Sequence, residues 1–320
     1  MLSLDTKNTE KTRKHKAVMQ VSAIWSEAAG ESVRKQKQWV AECLMTRAIQ
    51  EENTMKLTML GTGNALVTEC YNNCFVLSDE YGHFLVDGGG GNTVLSQLKK
   101  AGVDLMDVHE IFVTHKHVDH IMGIVWVIRI ICQNMKKGTY QGEANIYAHD
   151  EVIGLLKDMA FKLLNKKETQ YIGDRLYLIE VKDGEEKIIL NKKVTFFDIG
   201  STKAIQFSFQ MIYDGDKVLT CCGDEPYNEC EEKYAKGSDW MFHEAFCLYG
   251  QRDIFNPYEK HHSTVKDASE LAENLGVKNL VLYHTEDKNI KKRKELYGAE
   301  GREYYHGNLF IPDDLDVIEM

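Results

Sequence analysis

The stretch from His115 to His120 places three histidines and one aspartate within six residues, one residue after the apolar run 111–113. If this run is a strand, His115 and His117 leave its end two residues apart, and such residues point the same way in an extended chain. Both imidazoles can then reach one metal ion, while a following turn aims Asp119 and His120 at a second ion nearby. Imidazole and carboxylate ligands without a thiolate suit zinc, manganese or iron. The pattern predicts a metal site.

Composition sets the broad class of the protein. The chain has 320 residues, of which 43% are hydrophobic and 10% aromatic, as expected for a soluble globular protein with an ample core. The net charge of −10 gives no electrostatic footprint for broad nucleic-acid or membrane binding. The eight cysteines fall at no metal or disulfide spacing and are typical of reduced cytosolic thiols.

No targeting or membrane segment is indicated. No apolar run reaches the length needed to span a bilayer. The basic residues 11–16 precede an apolar stretch at 17–25, but Gln20 and Ser22 interrupt that stretch, which argues against a signal peptide. We therefore expect a cytoplasmic protein without a membrane partner.

The chain divides near residue 55. Residues 1–54 contain no proline and a single glycine, and their apolar residues recur at helical spacing, which predicts a helical extension. Residues 55–320 form the predicted hydrolase domain, in which β-type runs alternate with helical segments. Strands are predicted at 57–60, 73–77, 83–86, 111–113, 145–148, 176–181, 193–197, 205–213, 217–221 and 279–283, and helices at 92–100, 121–135, 151–164 and 265–275.

Further candidate ligands stand just past the ends of these apolar runs. They are Asp224, the pair His243-Glu244, His262 and His284. A β-scaffold that delivers ligands to one edge would bring such residues together. Asp87, which four glycines follow, is a candidate acceptor for the second ring nitrogen of a ligand histidine. His149 also ends a predicted strand, where a rim or structural position is the plainer interpretation.

The order of these motifs resembles the metallo-β-lactamase superfamily. The resemblance covers roughly residues 55–310 and rests on His115-x-His117-x-Asp119-His120, with Gly61-Thr62-Gly63 and Asp87-Gly88-Gly89-Gly90 before it and Asp224 and His284 after it. Within the superfamily, His243-Glu244-Ala245 and His262-Ser263-Thr264 are similar to motifs of ribonuclease Z and its phosphodiesterase relatives.

The resemblance implies an α+β fold, a four-layer αββα sandwich with a two-metal site along one edge. Carried over by position, the ligands are His115 and His117 for the first metal, Asp119, His120 and His284 for the second, and Asp224 as a bridge. Two zinc ions are expected, with manganese or iron as alternatives, and no residue is predicted to bind an organic cofactor.

Two features of the family pattern are missing. The superfamily supplies a further histidine to the first metal, and Gly200 stands where it would be. The first site is therefore expected to be weak, or to be completed by water, Asp198 or His149. Ribonuclease Z also has a Gly/Pro-rich basic arm that grips transfer RNA, whereas this chain has three prolines and no such insertion. A smaller phosphodiester is favoured over transfer RNA as the substrate.

The predicted function is metal-dependent hydrolysis of a phosphodiester, of the ribonuclease Z-like nuclease type, by a metal-bound hydroxide. Asp119 would orient or deprotonate the water. His262 would hold the phosphate or protonate the leaving oxygen, with His243 or Glu244 setting its tautomer.

Two other functions stay open. One is hydrolysis of a thioester, lactone or β-lactam bond at the same metals, because a fold alone does not choose the reaction. The other is metal binding by a degraded active site, which the missing histidine motivates. The expected partners are a phosphodiester substrate, with RNA among the candidates, and a second copy of the chain in a homodimer.

Overall fold

Residues 54–320 are described by a computed structural model of the chain. The helical extension predicted over residues 1–54 lies outside the described residues except for Thr54. The extension and the domain boundary at residue 55 therefore stay predictions.

Strands and short helices alternate along the described part of the chain. The strands are β1 (Lys56–Gly61), β2 (Cys74–Asp79), β3 (Gly82–Val86), β4 (Val108–Phe112), β5 (Ala144–Ala148), β6 (Leu176–Glu180), β7 (Glu186–Ile189), β8 (Lys192–Asp198), β9 (Phe207–Tyr213), β10 (Lys217–Cys221), β11 (Trp240–Glu244), β12 (Asn279–Tyr283), β13 (Asn308–Phe310) and β14 (Val317–Glu319). The α-helices are α1 (Thr93–Lys100), α2 (Val118–Lys137), α3 (Asp150–Leu163), α4 (Lys166–Thr169), α5 (Glu232–Ala235), α6 (Arg252–Phe255), α7 (Val265–Leu275) and α8 (Arg293–Gly301).

The strands form two seven-stranded sheets that share one connection pattern. Their orders are β14-β1-β2-β3-β4-β5-β6 and β13-β12-β11-β10-β9-β8-β7. In the first sheet β1 to β3 are antiparallel and β3 to β6 parallel, and in the second β8 to β10 are antiparallel and β10 to β13 parallel. Neighbouring parallel strands end at the same edge of a sheet, so the loops after β3, β4 and β5, and after β10, β11 and β12, are placed to build a site.

The two sheets pack face to face, with helices on both outer sides. Aromatic rings fill the space between the sheets, for example Phe75 against Phe242 with ring centroids 5.5 Å apart and Phe84 against Phe209 at 5.4 Å. Helices α1 to α3 share a core with the first sheet, and α7 and α8 share one with the second. This is the predicted α+β fold, a four-layer αββα sandwich, which the structure confirms.

The predicted elements are present with shifted ends. The strand predicted at 205–213 begins only at Phe207, and the helix predicted at 121–135 runs from Val118 to Lys137. The sequence pattern does not predict β7, β13, β14 or α8. The three strands have only three or four residues each, which is too short for an alternating pattern to be distinct.

Helix α2 is long and apolar enough to cross a membrane by length and composition, which the sequence analysis did not expect of any run. However, 61% of its apolar window is buried inside the protein. Its buried side chains pack in the core of the first sheet, among them Val127, Ile128 and Ile131. Helix α2 is therefore an element of the protein core.

The glycines after Asp87 let the backbone of α2 touch the preceding loop. The N–H of Gly88 donates to the carbonyl of His120 at 2.9 Å, and the N–H of Gly123 donates to the carbonyl of Gly89 at 2.9 Å. A Cβ atom on Gly123 would lie 1.8 Å from the Gly88 carbonyl oxygen. Only glycine permits this approach, which fixes Asp87 relative to the first turn of α2.

Candidate metal centre

The histidine stretch leaves the first sheet after β4 and enters helix α2. His115 lies in the segment between them and His117 is the N-cap residue, so Asp119 and His120 fall in the first helical turn. A carboxylate is favoured there because a helix N-terminus carries partial positive charge. Nε2 of His115 lies 2.7 Å from Nδ1 of His117. The two imidazoles face each other, as their spacing predicts.

Asp224 and His284 reach the same place from the second sheet. Asp224 follows β10, and His284 follows β12 directly, with a φ of 55° that residues other than glycine and asparagine rarely adopt. Oδ2 of Asp224 lies 3.2 Å from Nε2 of His120, 3.4 Å from Nε2 of His284 and 3.6 Å from Nε2 of His115. One carboxylate oxygen thus faces three imidazoles.

Two sets of metal-ligand atoms result from this geometry. Within each set the atoms lie within 4.8 Å of one another, and the sets are His115, His120 and Asp224, and Asp119, His120 and His284. A third group, Glu244, His262 and His284, adjoins them through His284, and the predicted ligand His117 belongs to none of the three. The five residues of the first two sets are all buried. Ligand atoms of one tetrahedral zinc ion lie about 3.3 Å apart, because Zn–N bonds are about 2.0–2.1 Å long. The separations of 3.2–3.6 Å around Asp224 are of this size.

Ring nitrogens in the cluster lack hydrogen-bond partners among the described residues. Nε2 of His120 and both ring nitrogens of His284 are buried and have no hydrogen-bond partner there. Buried polar atoms normally have partners, and one without a partner costs about 1–3 kcal/mol. A cation held between these rings and the carboxylates would satisfy them. The residues present therefore fit divalent metal ions.

The electrostatics of the cluster also favour a cation. Burial lowers the pKa of His115 well below its ordinary value, so this ring is neutral near pH 7 and has a free lone pair. Burial works against a charged His120 as well, yet Asp119, Asp87 and Asp224 raise the pKa of that ring well above its ordinary value. Three carboxylates around one imidazole create a field that attracts positive charge.

A second group of polar side chains faces His284. Nδ1 of His262 lies 3.5 Å from Oε2 of Glu244, whose Oε1 accepts a hydrogen bond from the Ser263 N–H. The His262 ring stacks on Phe246 with centroids 4.7 Å apart and planes 6° apart. Burial lowers the pKa of His262, but Glu244 outweighs this effect and the pKa is raised. An imidazole oriented by a carboxylate in this way is suited to proton donation.

Asp119, Asp224 and His284, from the metal-ligand sets, line one cleft of about 510 Å³ together with His117, His262 and Glu225. Lys116 and Lys203 line it beside Asp119, and Lys116 is held by Glu151 at 2.5 Å. Val118, at the mouth, is 68% exposed. The cleft therefore offers two cations next to the metal ligands, which suits an anionic substrate.

His243 is not brought into this group. It precedes Glu244 in β11, and neighbours in a strand point to opposite faces of the sheet. Its Nδ1 lies 2.7 Å from the Glu244 carbonyl oxygen, and no hydrogen bond or ring contact within residues 54–320 joins it to His262. The Glu244 carboxylate, rather than His243, is placed to set the tautomer of His262.

The residues expected to complete the first site also lie elsewhere. A Cβ atom on Gly200 would lie 3.3 Å from the sulfur of Cys230. A side chain at this position would therefore contact Cys230. The Asp198 carboxylate accepts the N–H of Gly200 at 2.8 Å, and the His149 ring packs on Phe207 with centroids 5.4 Å apart. Neither Asp198 nor His149 belongs to a group of ligand atoms in the described part of the chain.

One site residue has no signal in the sequence. Gln206 is 1% exposed and its Nε2 donates to Oδ1 of Asp224 at 2.5 Å. A single glutamine before an apolar run is common, so only the folded chain shows its position. The sequence also predicts no role for Thr114, which is adjacent to the histidine stretch. Its hydroxyl oxygen lies 2.9 Å from Nδ1 of His115.

The fold and this centre define a metallo-β-lactamase-fold protein of the ribonuclease Z-like branch, a class of metal-dependent hydrolases, as the sequence predicts. Residues 55–301 match the family described as Anti-Pycsar protein Apyc1, and the chain belongs to that family.

Relatives agree with this class. A ribonuclease Z from Methanothermobacter thermautotrophicus is 24% identical over 307 residues, which cover 83% of this chain and 97% of the relative. Among solved structures, the metallo-β-lactamase fold protein YhfI from Bacillus subtilis superposes with a TM-score of 0.67 at 18% identity, covering 84% of this chain and all of YhfI (100%). The short form of human tRNase Z superposes with a TM-score of 0.61 at 21% identity, covering 82% of this chain and 98% of the enzyme.

Proposed function

We propose that the protein hydrolyses a small phosphodiester with two bound divalent ions, zinc being the first candidate. The observation that carries this proposal is that members of both metal-ligand sets, Asp119, Asp224 and His284, line one cleft together with His262, the partner of Glu244. Ions held by these residues would act as Lewis acids and lower the pKa of a coordinated water towards about 7. A cytoplasmic location and a homodimer stay predictions.

The side chains around the cleft divide the remaining work. Oδ2 of Asp119 lies 3.4 Å from Nε2 of His120 and 3.6 Å from Nε2 of His284, so this carboxylate can orient the attacking water beside the ligands. Lys116 and Lys203 offset the charge of the phosphate oxygens. His262 donates a proton to the leaving oxygen.

The size of the substrate is inferred from charge and chain content. Relatives are named ribonuclease Z, an enzyme that acts on RNA, which supports a phosphodiester as the bond that is cut. The chain has a net charge of −10 and only three prolines. This composition argues against a basic Gly/Pro-rich arm that would bind a large RNA. We therefore favour a mononucleotide or dinucleotide phosphodiester.

The test is a substrate panel assayed with the metal-loaded full chain. We expect turnover of bis(p-nitrophenyl) phosphate and of a dinucleotide, with much weaker cleavage of a precursor transfer RNA and none of a thioester or lactone. Asp119→Ala should abolish phosphodiester turnover. Asp104 is exposed and precedes β4 in the chain, so Asp104→Ala should leave turnover unchanged. Thioester or lactone turnover without phosphodiester turnover would refute the proposal.

Elemental analysis of protein purified without chelator tests the metal requirement. We expect two ions per chain. One ion or none would support a single-metal or non-catalytic protein instead.

A further inference from the structure

The two oxygens of the Asp224 carboxylate have different environments. Oδ2 lies 3.2–3.6 Å from Nε2 of His120, His284 and His115. Oδ1 instead accepts a hydrogen bond from Nε2 of Gln206 at 2.5 Å. Asp224 and Gln206 are both buried, at 5% and 1% exposure, so this hydrogen bond is shielded from competing water.

The backbone around Gln206 fixes the position of its side chain. The Gln206 carbonyl accepts the N–H of Ile199 at 3.1 Å, and the next N–H, of Phe207, donates to the Thr114 carbonyl at 3.0 Å. Gln206 is thereby tied both to the end of β8 and to the residue before His115.

Gly223 confines the glutamine amide from the other side. A Cβ atom on Gly223 would lie 2.8 Å from Nε2 of Gln206, and the φ of Gly223 is +80°, in the range that favours glycine. Gly223, immediately before Asp224, thus leaves room for the glutamine amide, which contacts Oδ1 of Asp224.

We propose that Gln206 is a positioning residue of the metal centre, which holds Oδ1 of Asp224 so that Oδ2 alone is presented to the metal ions. An oxygen engaged by an amide N–H is a poorer ligand, so the carboxylate would bind through Oδ2, the oxygen that faces His115, His120 and His284. Outer hydrogen bonds of this kind change metal affinity by about 10- to 100-fold. The inference rests on the proposed function only in requiring that the centre binds metal.

The test compares Gln206→Met with a matched control. Methionine has a similar length and no N–H donor. Gln210→Met removes the same kind of bond within the adjoining strand β9, since Nε2 of Gln210 donates to the Tyr234 carbonyl at 2.7 Å, away from the cluster. Zn²⁺ is titrated into metal-free full chain against a chromophoric chelator, and thermal unfolding of the metal-free proteins is followed in parallel.

We expect Gln206→Met to bind at least one Zn²⁺ about 10- to 100-fold more weakly, and Gln210→Met to bind like the native chain. The loss should disappear in an Asp224→Ala background, because Gln206 acts through that carboxylate. Native affinity for both ions in Gln206→Met, or an undiminished loss in the Asp224→Ala background, would overturn the proposal.

A purely structural glutamine would give a different result. It would lower the unfolding temperature of the metal-free protein while leaving Zn²⁺ affinity unchanged. If Gln206→Met does not fold, Gln206→Asn replaces it, because the shorter amide withdraws the donor but keeps the polarity, and native Zn²⁺ affinity in that variant would equally refute the inference. Because the readout is metal binding, a wrong substrate assignment leaves this test intact.

Discussion

Nδ1 of His120 lies 2.7 Å from Oδ2 of Asp87, and since an ionised carboxylate can only accept, the ring donates its Nδ1 proton and leaves Nε2, which faces Asp224, as the atom that a metal ion would bind. The same carboxylate accepts the N–H of Thr114 at 2.9 Å and its hydroxyl at 2.8 Å. The Thr114 hydroxyl oxygen in turn lies 2.9 Å from Nδ1 of His115. Asp87 thus sets the tautomer of one ring directly and of another through Thr114.

Asp87→Asn should weaken metal binding by about 10- to 100-fold while the fold persists. The amide brings an N–H donor against Nδ1 of His120 and favours the tautomer that protonates Nε2. Asparagine tolerates the left-handed backbone at this position, where φ is 59°, so little strain is added. Zn²⁺ titration of the metal-free protein measures the effect.

The control is Asp214→Asn, in the exposed hairpin turn between β9 and β10, where φ is 46°. It makes the same chemical change in the same backbone conformation, away from the centre. Equal affinities in the two variants would contradict the function assigned to Asp87.

His262→Ala should slow phosphodiester hydrolysis by about 10²- to 10⁴-fold for substrates with a poor leaving group. The loss should be much smaller for a p-nitrophenyl ester, whose leaving oxygen needs no proton. Glu244→Gln should move the high-pH fall in turnover to lower pH, because Glu244 is what raises the pKa of His262. Rate profiles from pH 5 to 10 with both substrate types test this, and an equal loss for both would exclude proton donation.

The order of motifs along the chain predicts the fold, and it names residues that the structure gathers into groups able to hold a metal ion. The i, i+2 spacing of His115 and His117 and the strand ends before Asp224 and His284 are local patterns, and strand ends in such a sandwich converge on one edge. The sequence also predicts Asp87 as an acceptor for a ligand histidine, because such histidines need a partner for their second nitrogen, and the structure identifies that histidine as His120.

The remaining features depend on contacts between distant segments. Gln206 reaches Asp224 only because β8, β9 and β10 are adjacent, and glutamine carries no periodic or spacing signal. His243 is predicted to be catalytic from its place in the His243-Glu244-Ala245 motif, yet strand alternation turns the side chains of His243 and Glu244 apart. Strands β1 and β14 are far apart in the sequence, yet they pair through three residue pairs. No local sequence pattern predicts this pairing.

Gly123→Ala should destabilise the protein by about 1–3 kcal/mol or more, because the new methyl would overlap the Gly88 carbonyl and push α2 from the Asp87 loop. Gly154→Ala is the matched control. Gly154 is exposed in α3 with nothing within 4 Å of its Cβ position, so alanine should stabilise that helix by about 1 kcal/mol. Urea unfolding of the metal-free proteins gives both values. Similar effects from the two substitutions would show that the Gly88–Gly123 approach is not tight.

Glu231 is expected to make folding stability depend on pH. The side chain is 0% exposed, with Oε1 accepting the Asn228 N–H at 2.9 Å, and burial raises the pKa of Glu231 to about 8. The unfolded carboxyl titrates near its ordinary value of 4.5, so the folded state binds the extra proton between these values. The stability that this bound proton contributes is fully present below about pH 4.5. It is lost as the pH rises from there through about 8, at about 1.4 kcal/mol per pH unit.

Glu231→Gln keeps the acceptor for Asn228 and cannot ionise, so its stability relative to the native chain should increase between pH 5.5 and 8.5 by about 2–4 kcal/mol. Urea unfolding of both proteins in chelator, at several pH values across this range, measures the difference and cancels the titration of all other groups. Glu229→Gln, an exposed carboxylate in the same turn, should track the native chain. A Glu231→Gln difference that stays constant with pH would mean that Glu231 is already ionised in the folded protein at pH 5.5, and that its buried environment solvates the charge.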